Sequence, residues 1–419
     1  MFLRPTSAAD VKLFIVKVLH NLTIFVEEGC TSSFPQFGDD ESYKLNTTNG
    51  GAILKAMQVW GALRGLESFA QLFYDDNTKV REAEIRDYPR FSHRGVLLDT
   101  SRHYLSVDIL KANIELMAQN KFNTFHWHIV DIESFPYQSK AIPTLILGAY
   151  TPRHIYTLEQ IKDIVDYARL RGIRVLPEFD TPGIKGLLTK CYDNRGAVIP
   201  GMENILDPTS TITWDTLTAL FEEVFSTFPD NYVHLGGDEA NFWMEPCWLK
   251  NPNISQFMKT YGLKDGHGLE VWYFQKLLKL LHSLPSGASK KYLVWQEAIE
   301  ETEQTKEKIV DNGLVAHIWK SNDKLKYATE NGYYAILSAC WYLDYISASA
   351  EWITYYLCDP QVSNCFYCYC PYRGAMNISF VDEPFFADSH LFPFERETRS
   401  TLRSGFHSSI LLELRSVFE

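Results

Sequence analysis

From residue 91 to residue 338 one pattern keeps returning: a short apolar run, a polar residue at its end, then a stretch long enough for a helix. Gly-Val-Leu-Leu at 95–98 leads to Asp-Thr-Ser-Arg at 99–102, Thr-Phe-His-Trp-His-Ile-Val at 124–130 to Asp131, and Arg-Val-Leu-Pro-Glu-Phe at 174–179 to Asp180. The fourth run, Tyr-Val-His-Leu at 232–235, is followed by Gly236, Gly237, Asp238 and Glu239. Runs at 292–297, 314–319 and 334–338 complete the series. Nearly continuous apolar runs are the mark of strands buried on both faces, and strands alternating with helices build a parallel sheet. Over about 250 residues this predicts an α/β fold, a (β/α)8 TIM barrel, although counting elements does not exclude an open doubly wound sheet.

The polar residues fall at matching places. Arg102, Asp131, Asp180, Asp238, Glu239, Glu297, Trp319, Tyr342 and Asp344 all lie at or just past predicted strand ends. In such a barrel those ends converge on one face, where active sites are built. One acid at one strand end is an ordinary solvated turn; repetition on successive strands points to a catalytic cleft. Gly236 and Gly237 carry no Cβ, so a substrate ring could approach the backbone just before the paired acids. His126 and His128 alternate on one strand and so share a face. A metal would need a third ligand for which the sequence makes no case, and core histidines are the reading.

Composition narrows the function. The formal net charge of −12 argues against nucleic acid or an anionic membrane as the main partner. Aromatic residues reach 14%, a content that suits sugar-binding clefts as well as large cores. Asn-X-Ser/Thr triplets at Asn21, Asn46, Asn253 and Asn377 lean toward a secretory route. No clear signal peptide is seen: residues 11–26 are apolar but interrupted by Lys12, Lys17 and His20. No run is long and apolar enough to span a membrane. Of the eight cysteines, Cys358, Cys365, Cys368 and Cys370 crowd together at a spacing poor for zinc.

Before the barrel, residues 1–90 read as a small α+β unit. Strand-like runs at 14–19 and 22–26 precede a polar loop at 31–42, a helix at 53–73 and a charged hairpin or linker at 75–89. Residues 91–357 hold barrel strands one to seven, and 358–419 form a divergent tail. Within the barrel, Ser106 caps a helix over 107–120, and Thr157 with Gln160 forms a capping box. Leu217, Leu220, Phe221, Val224 and Phe225 make the core stripe of a later helix, and another helix spans 269–281.

The motifs are those of a known family. His-Leu-Gly-Gly-Asp-Glu at 234–239, His-Trp-His-Ile-Val-Asp at 126–131, Leu-Asp-Thr-Ser-Arg-His-Tyr-Leu at 98–105 and Arg-Gly-Ile-Arg-Val-Leu-Pro-Glu-Phe-Asp-Thr-Pro-Gly at 171–183 resemble animal β-N-acetylhexosaminidases of glycoside hydrolase family 20. Val-Trp-Gln-Glu at 294–297 and Trp-Gly-Ala-Leu-Arg-Gly-Leu-Glu at 60–67 extend the match. The resemblance implies a retaining mechanism in which the substrate's own 2-acetamido oxygen attacks C1. It implies Glu239 as general acid and then base, and Asp238 as the carboxylate that orients the acetamido group. It implies Arg102, Asp131, Trp295, Trp319, Tyr342 and Asp344 around the sugar, with Asp180 and Glu297 bracing them. The structural alternative for Arg102 is an ion pair with Asp131. A terminal N-acetylhexosamine of glycans or glycolipids would be the substrate, with no metal or other cofactor. A homo- or heterodimer and a lysosomal or secreted location follow from the same resemblance, as does a Cys191–Cys247 disulfide with Cys30 free.

Two departures lie inside the motifs. Ile184 stands where the family carries His after Asp-Thr-Pro-Gly, and Ile132 where a second aspartate follows Asp131. After residue 356 the resemblance stops, and the eighth strand is divergent or incomplete; Met-Asn-Ile-Ser-Phe-Val at 376–381 is a candidate replacement. The alternative function is therefore an impaired or inactive relative that binds glycans or pairs with an active subunit.

Overall fold

The computed structural model describes residues 19–28, 34–48, 50–300, 308–311, 313–341 and 352–360. In the N-terminal part, strands run in the order Leu22–Val26, Gly51–Ala56, Tyr43–Thr48 and Ala83–Asp87. The helix Val59–Ala70 lies on one face of this sheet. It can lie close because a Cβ on Gly65 would fall 2.3 Å from Leu54 Cδ1. Tyr43, Leu45, Leu54, Ala56 and Ala62 form the buried centre of this unit.

This corrects one expectation and refines another. The helix predicted over 53–73 begins only at Val59; the preceding residues are the strand Gly51–Ala56. Its burial alternates, with Ala52, Leu54 and Ala56 inward, and it pairs antiparallel with Tyr43–Thr48. Apolar residues spaced by two overlapped the helical spacing that follows, and pairing with an unrecognised strand decided the matter. The segment read as a hairpin or linker supplies the small hairpin Phe73–Tyr74 with Lys79–Val80, then the sheet strand Ala83–Asp87. The run predicted over 14–19 lies almost wholly outside the described residues.

The barrel strands are β1 (Gly95–Asp99), β2 (Thr124–Val130), β3 (Arg174–Phe179), β4 (Tyr232–His234), β5 (Lys291–Trp295), β6 (Val315–Ile318) and β7 (Tyr334–Leu337). They pair in parallel, in sequence order, as one seven-stranded sheet. Among the described residues β1 and β7 remain the edges. Every residue of β2 and β3 is buried. The connecting helices behave as their sequences predict. Ser106 accepts from Ile109 N–H at the start of Val107–Gln119, and both halves of the Thr157–Gln160 capping box form on Leu158–Arg169. The predicted stripe from Leu217 to Phe225 is buried on Thr211–Thr227.

Inside the curve of the sheet the strands contribute in layers, because side chains two apart share a face. Leu176, Tyr232, Leu293 and Val315 form an apolar layer. Two residues further along each strand stand Glu178, His234, Trp295 and His317, a polar layer just below the strand tips.

The N-terminal unit is pinned to the barrel through buried charge. Arg64 places Nε 2.8 Å from Glu41 and donates to the carbonyls of Arg171 and Gly172 at 3.2 and 2.7 Å. Glu41 also receives Arg94 at 2.8 Å and Asn123 at 2.9 Å.

The predicted Cys191–Cys247 disulfide is present and joins a hairpin, Leu188–Tyr192 with Val198–Leu206, to the turn of helix Met244–Leu249 that follows Glu239. That hairpin and the helix Pro252–Tyr261 had no counterpart in the sequence reading. A second disulfide, Cys340–Cys358, was likewise not anticipated. Cys30, Cys365, Cys368, Cys370 and the candidate replacement strand at 376–381 lie outside the described residues.

Candidate active site

The tips of β1, β2 and β4 bring their acids together around one guanidinium. Arg102 sets one nitrogen 2.7 Å from Asp99 and another 2.7 Å from Asp131, with Glu133 at 3.6 Å and Asp238 at 3.9 Å. Arg102 is thus ion-paired with Asp131, the structural alternative, and it lies at the rim, about a third exposed. His128, buried beneath, puts Nε2 3.3 Å from Asp131. Burial alone would discharge His128, but Glu178, Asp99 and Asp131 outweigh it and raise its pKa to about 10. Asp99 goes the other way: burial opposes its charge, and His128 and Arg102 overcome that and hold it below the usual carboxylate range.

Asp238 and Asp180, with Glu133, are acids short of compensation. Burial, then Asp131 and Glu178, push Asp238 up to about 7, against the pull of His128 and Arg102. Asp180 is driven well above the ordinary range by burial and by Asp238, Asp131 and Glu178. It accepts the Gly237 N–H at 2.8 Å. A Cβ on Gly236 would fall 1.4 Å from Asp180 Oδ1, so glycine is what lets the β4 tip cross over Asp180. Gly236 and Gly237 take φ of +76° and +95°, and Glu239 itself takes +50°. A left-handed glutamate costs about 1–3 kcal/mol and is kept where surrounding structure imposes it. It leaves the Glu239 side chain exposed beside the half-buried Asp238.

On the β5 and β6 side, Trp295 is almost fully buried. Its indole donates to Glu178 Oε1 at 2.7 Å and its ring stacks on His317 at 4.1 Å. Trp319 donates its indole N–H to both oxygens of Glu297, at 3.0 and 3.1 Å. Lys320 Nζ lies 2.8 Å from the same carboxylate. Burial opposes the Lys320 charge, but Glu297, Glu300 and Glu239 prevail and raise its pKa. Ile184 is fully buried in the main apolar core, and a Cβ on the neighbouring Gly183 would fall 2.7 Å from Ile132. Tyr342 and Asp344 lie outside the described residues.

The sequence assigns no role to Glu178, Asp99 or Lys320 and reads His128 as a core histidine. Glu178 stood in plain view within Leu-Pro-Glu-Phe, and a glutamate inside an otherwise apolar buried run was the signal. His126, Glu178 and His234 bring donor atoms within 4.8 Å of one another. His126 Nε2 is 2.6 Å from Glu178 Oε2, Trp295 donates to Glu178 Oε1, and His234 Nδ1 accepts from Gly236 N–H.

Acids gathered round one arginine at the C-terminal ends of parallel barrel strands stand where barrel enzymes of this architecture build their active sites. The model of the glycosyl hydrolase family 20 catalytic domain matches residues 91–383, and a β-acetyl hexosaminidase-like model matches 12–72. The chain belongs to glycosyl hydrolase family 20. It is 41% identical over 373 residues to β-hexosaminidase A of Caenorhabditis elegans, covering 82% of this chain and 66% of that protein. It is 44% identical over 355 residues to the mouse β-hexosaminidase subunit beta, covering 81% of this chain and 63% of that protein. It thus spans somewhat less than two thirds of the length of these relatives. Among solved structures, a chitobiase of Flavobacterium johnsoniae superposes with a TM-score of 0.64 at 30% identity, over 77% of this chain and 49% of that one. An exo-β-N-acetylglucosaminidase of Vibrio harveyi in complex with N-acetylglucosamine gives 0.58 at 27% identity, over 71% and 50%.

Proposed function

We propose that this chain is an exo-β-N-acetylhexosaminidase that removes terminal β-linked GlcNAc or GalNAc with retention. The observation that carries the reading is Asp238: its Oδ1 is buried and has no hydrogen-bond partner among the described residues, directly beside Glu239. An unpartnered buried carboxylate oxygen is costly, and a substrate N–H that reaches it recovers that cost.

In the first step the acetamido oxygen forms a bond to C1 while the glycosidic bond breaks. Glu239 gives its proton to the leaving oxygen, and Asp238 accepts the acetamido N–H and balances the oxazolinium charge. In the second step Glu239 takes a proton from water, the water oxygen bonds to C1, and the oxazolinium C1–O bond breaks with its electron pair returning to the acetamido oxygen. Arg102 and Asp131 hold sugar hydroxyls, Trp295 and Trp319 wall the pocket, and Tyr342 and Asp344 are assigned to the acetamido carbonyl and a hydroxyl. Asp180 and Glu297 brace Asp238 and Trp319 respectively. A lysosomal or secreted setting and a homo- or heterodimer fit the animal relatives.

The test is release of the fluorophore from 4-methylumbelliferyl N-acetylglucosaminide by the purified chain, with the product anomer read by NMR. The β anomer is expected first, and Glu239→Gln should remove at least about a hundredfold of the rate. Full activity in Glu239→Gln, or release of the α anomer, would overturn the assignment.

A further inference from the structure

We propose that Glu178 is a positioning residue for this site, holding the Trp295 ring with one carboxylate oxygen and anchoring the charged ladder under Asp238 with the other. Glu178 is fully buried, an unusual place for a carboxylate without a task. Oε1 accepts the Trp295 indole at 2.7 Å and has His234 Nδ1 at 3.3 Å. Oε2 faces His126 Nε2 at 2.6 Å and His128 Nδ1 at 3.8 Å. From His128 the contacts continue to Asp131 at 3.3 Å, to Arg102 at 2.7 Å and to Asp238 at 3.9 Å. One carboxylate thus ties the side wall of the pocket to the acid that meets the acetamido group. Asp99 and Asp180 also face this ladder from β1 and β3, and His317 faces Trp295 from β6.

The two jobs separate chemically. Gln at 178 keeps an acceptor for the indole but loses the charge that favours protonated His128 and disfavours ionised Asp238. Asp keeps the charge but withdraws the acceptor by one methylene. Only the kinetic readout rests on the hexosaminidase reading; the spectroscopic one does not.

The experiment compares wild type, Glu178→Gln, Glu178→Asp and Trp295→Phe, the last leaving the carboxylate intact should a change at 178 prevent folding. In Glu178→Gln the His128 ring resonance should titrate at least one pH unit lower. The acid limb of kcat/KM should also move to lower pH, with kcat/KM down about ten- to a hundredfold. Glu178→Asp should keep the pH profile, raise KM and shift the Trp295 indole resonance upfield; Trp295→Phe should raise KM with the profile unchanged. An inactive wild type refutes the functional reading alone. Unmoved His128 and Trp295 resonances in the two position-178 variants, or an unmoved pH profile in an active Glu178→Gln, refute the role of Glu178. If neither of those variants folds, an unchanged KM in Trp295→Phe does so.

Discussion

Asp238→Asn should make this protein more stable at pH 8 while abolishing turnover. Asp238 rises from the ordinary 3.8 to about 7 because burial, Asp131 and Glu178 outweigh His128 and Arg102. A group whose folded pKa is raised contributes its stability below the unfolded value and loses it as pH climbs through the folded one. At pH 4 Asp238 therefore favours the folded state as a neutral acid; at pH 8 it is ionised and penalises it. At 1.36 kcal/mol per pKa unit the swing corresponds to about 4 kcal/mol. Asp180 lies within reach and shares the same burden, so about 2 kcal/mol is the gain expected from Asn alone. Asn keeps the shape and the hydrogen-bonding capacity of the protonated acid. The assay is thermal unfolding of wild type and variant from pH 4 to pH 8. A difference of several degrees at pH 8 that vanishes near pH 4 is expected. A variant less stable than wild type at pH 8, or a difference independent of pH, would show that the compensation by Arg102 and His128 is complete.

Gly236→Ala sets a Cβ 1.4 Å from Asp180 on a backbone of φ +76°, so a loss of about 3 kcal/mol or more in urea unfolding is expected, and an unchanged midpoint would contradict the crossing of the β4 tip over Asp180. Replacing Cys191 and Cys247 by Ala opens a tie across 56 residues, which chain entropy values at about 4 kcal/mol; proteolysis should then cut first in the segment after Glu239, and cleavage elsewhere would refute that placement of the weak point. Trp319→Phe removes the indole bonds to Glu297 and should raise KM about tenfold with kcat little changed, and an unaltered KM would take Trp319 out of the pocket wall.

The barrel strands were legible because a buried parallel strand announces itself locally. The runs at 124–130 and 174–179 coincide with β2 and β3, and the capping box at Thr157 forms as written. The N-terminal sheet was harder to read. Gly51–Ala56 alternates with period two only once its partner Tyr43–Thr48 is known, and a helix follows within three residues. The hairpin holding Cys191 has an irregular register and carries no clean alternation to find.

What the chain decided by itself was the position of each polar residue relative to its own strand, because solvation and side-chain alternation act over a few residues. That was enough to put Arg102, Asp131, Asp180, Asp238 and Glu239 on one rim. Which charges balance which was settled only by the packed sheet. Arg102 serves four acids at once, His128 stays charged among carboxylates, and Asp238 and Asp180 are left short. Glu178 becomes the centre of the inner layer for the same reason. Coulomb interaction and desolvation depend on separations between residues far apart in the sequence, and only folding sets those separations.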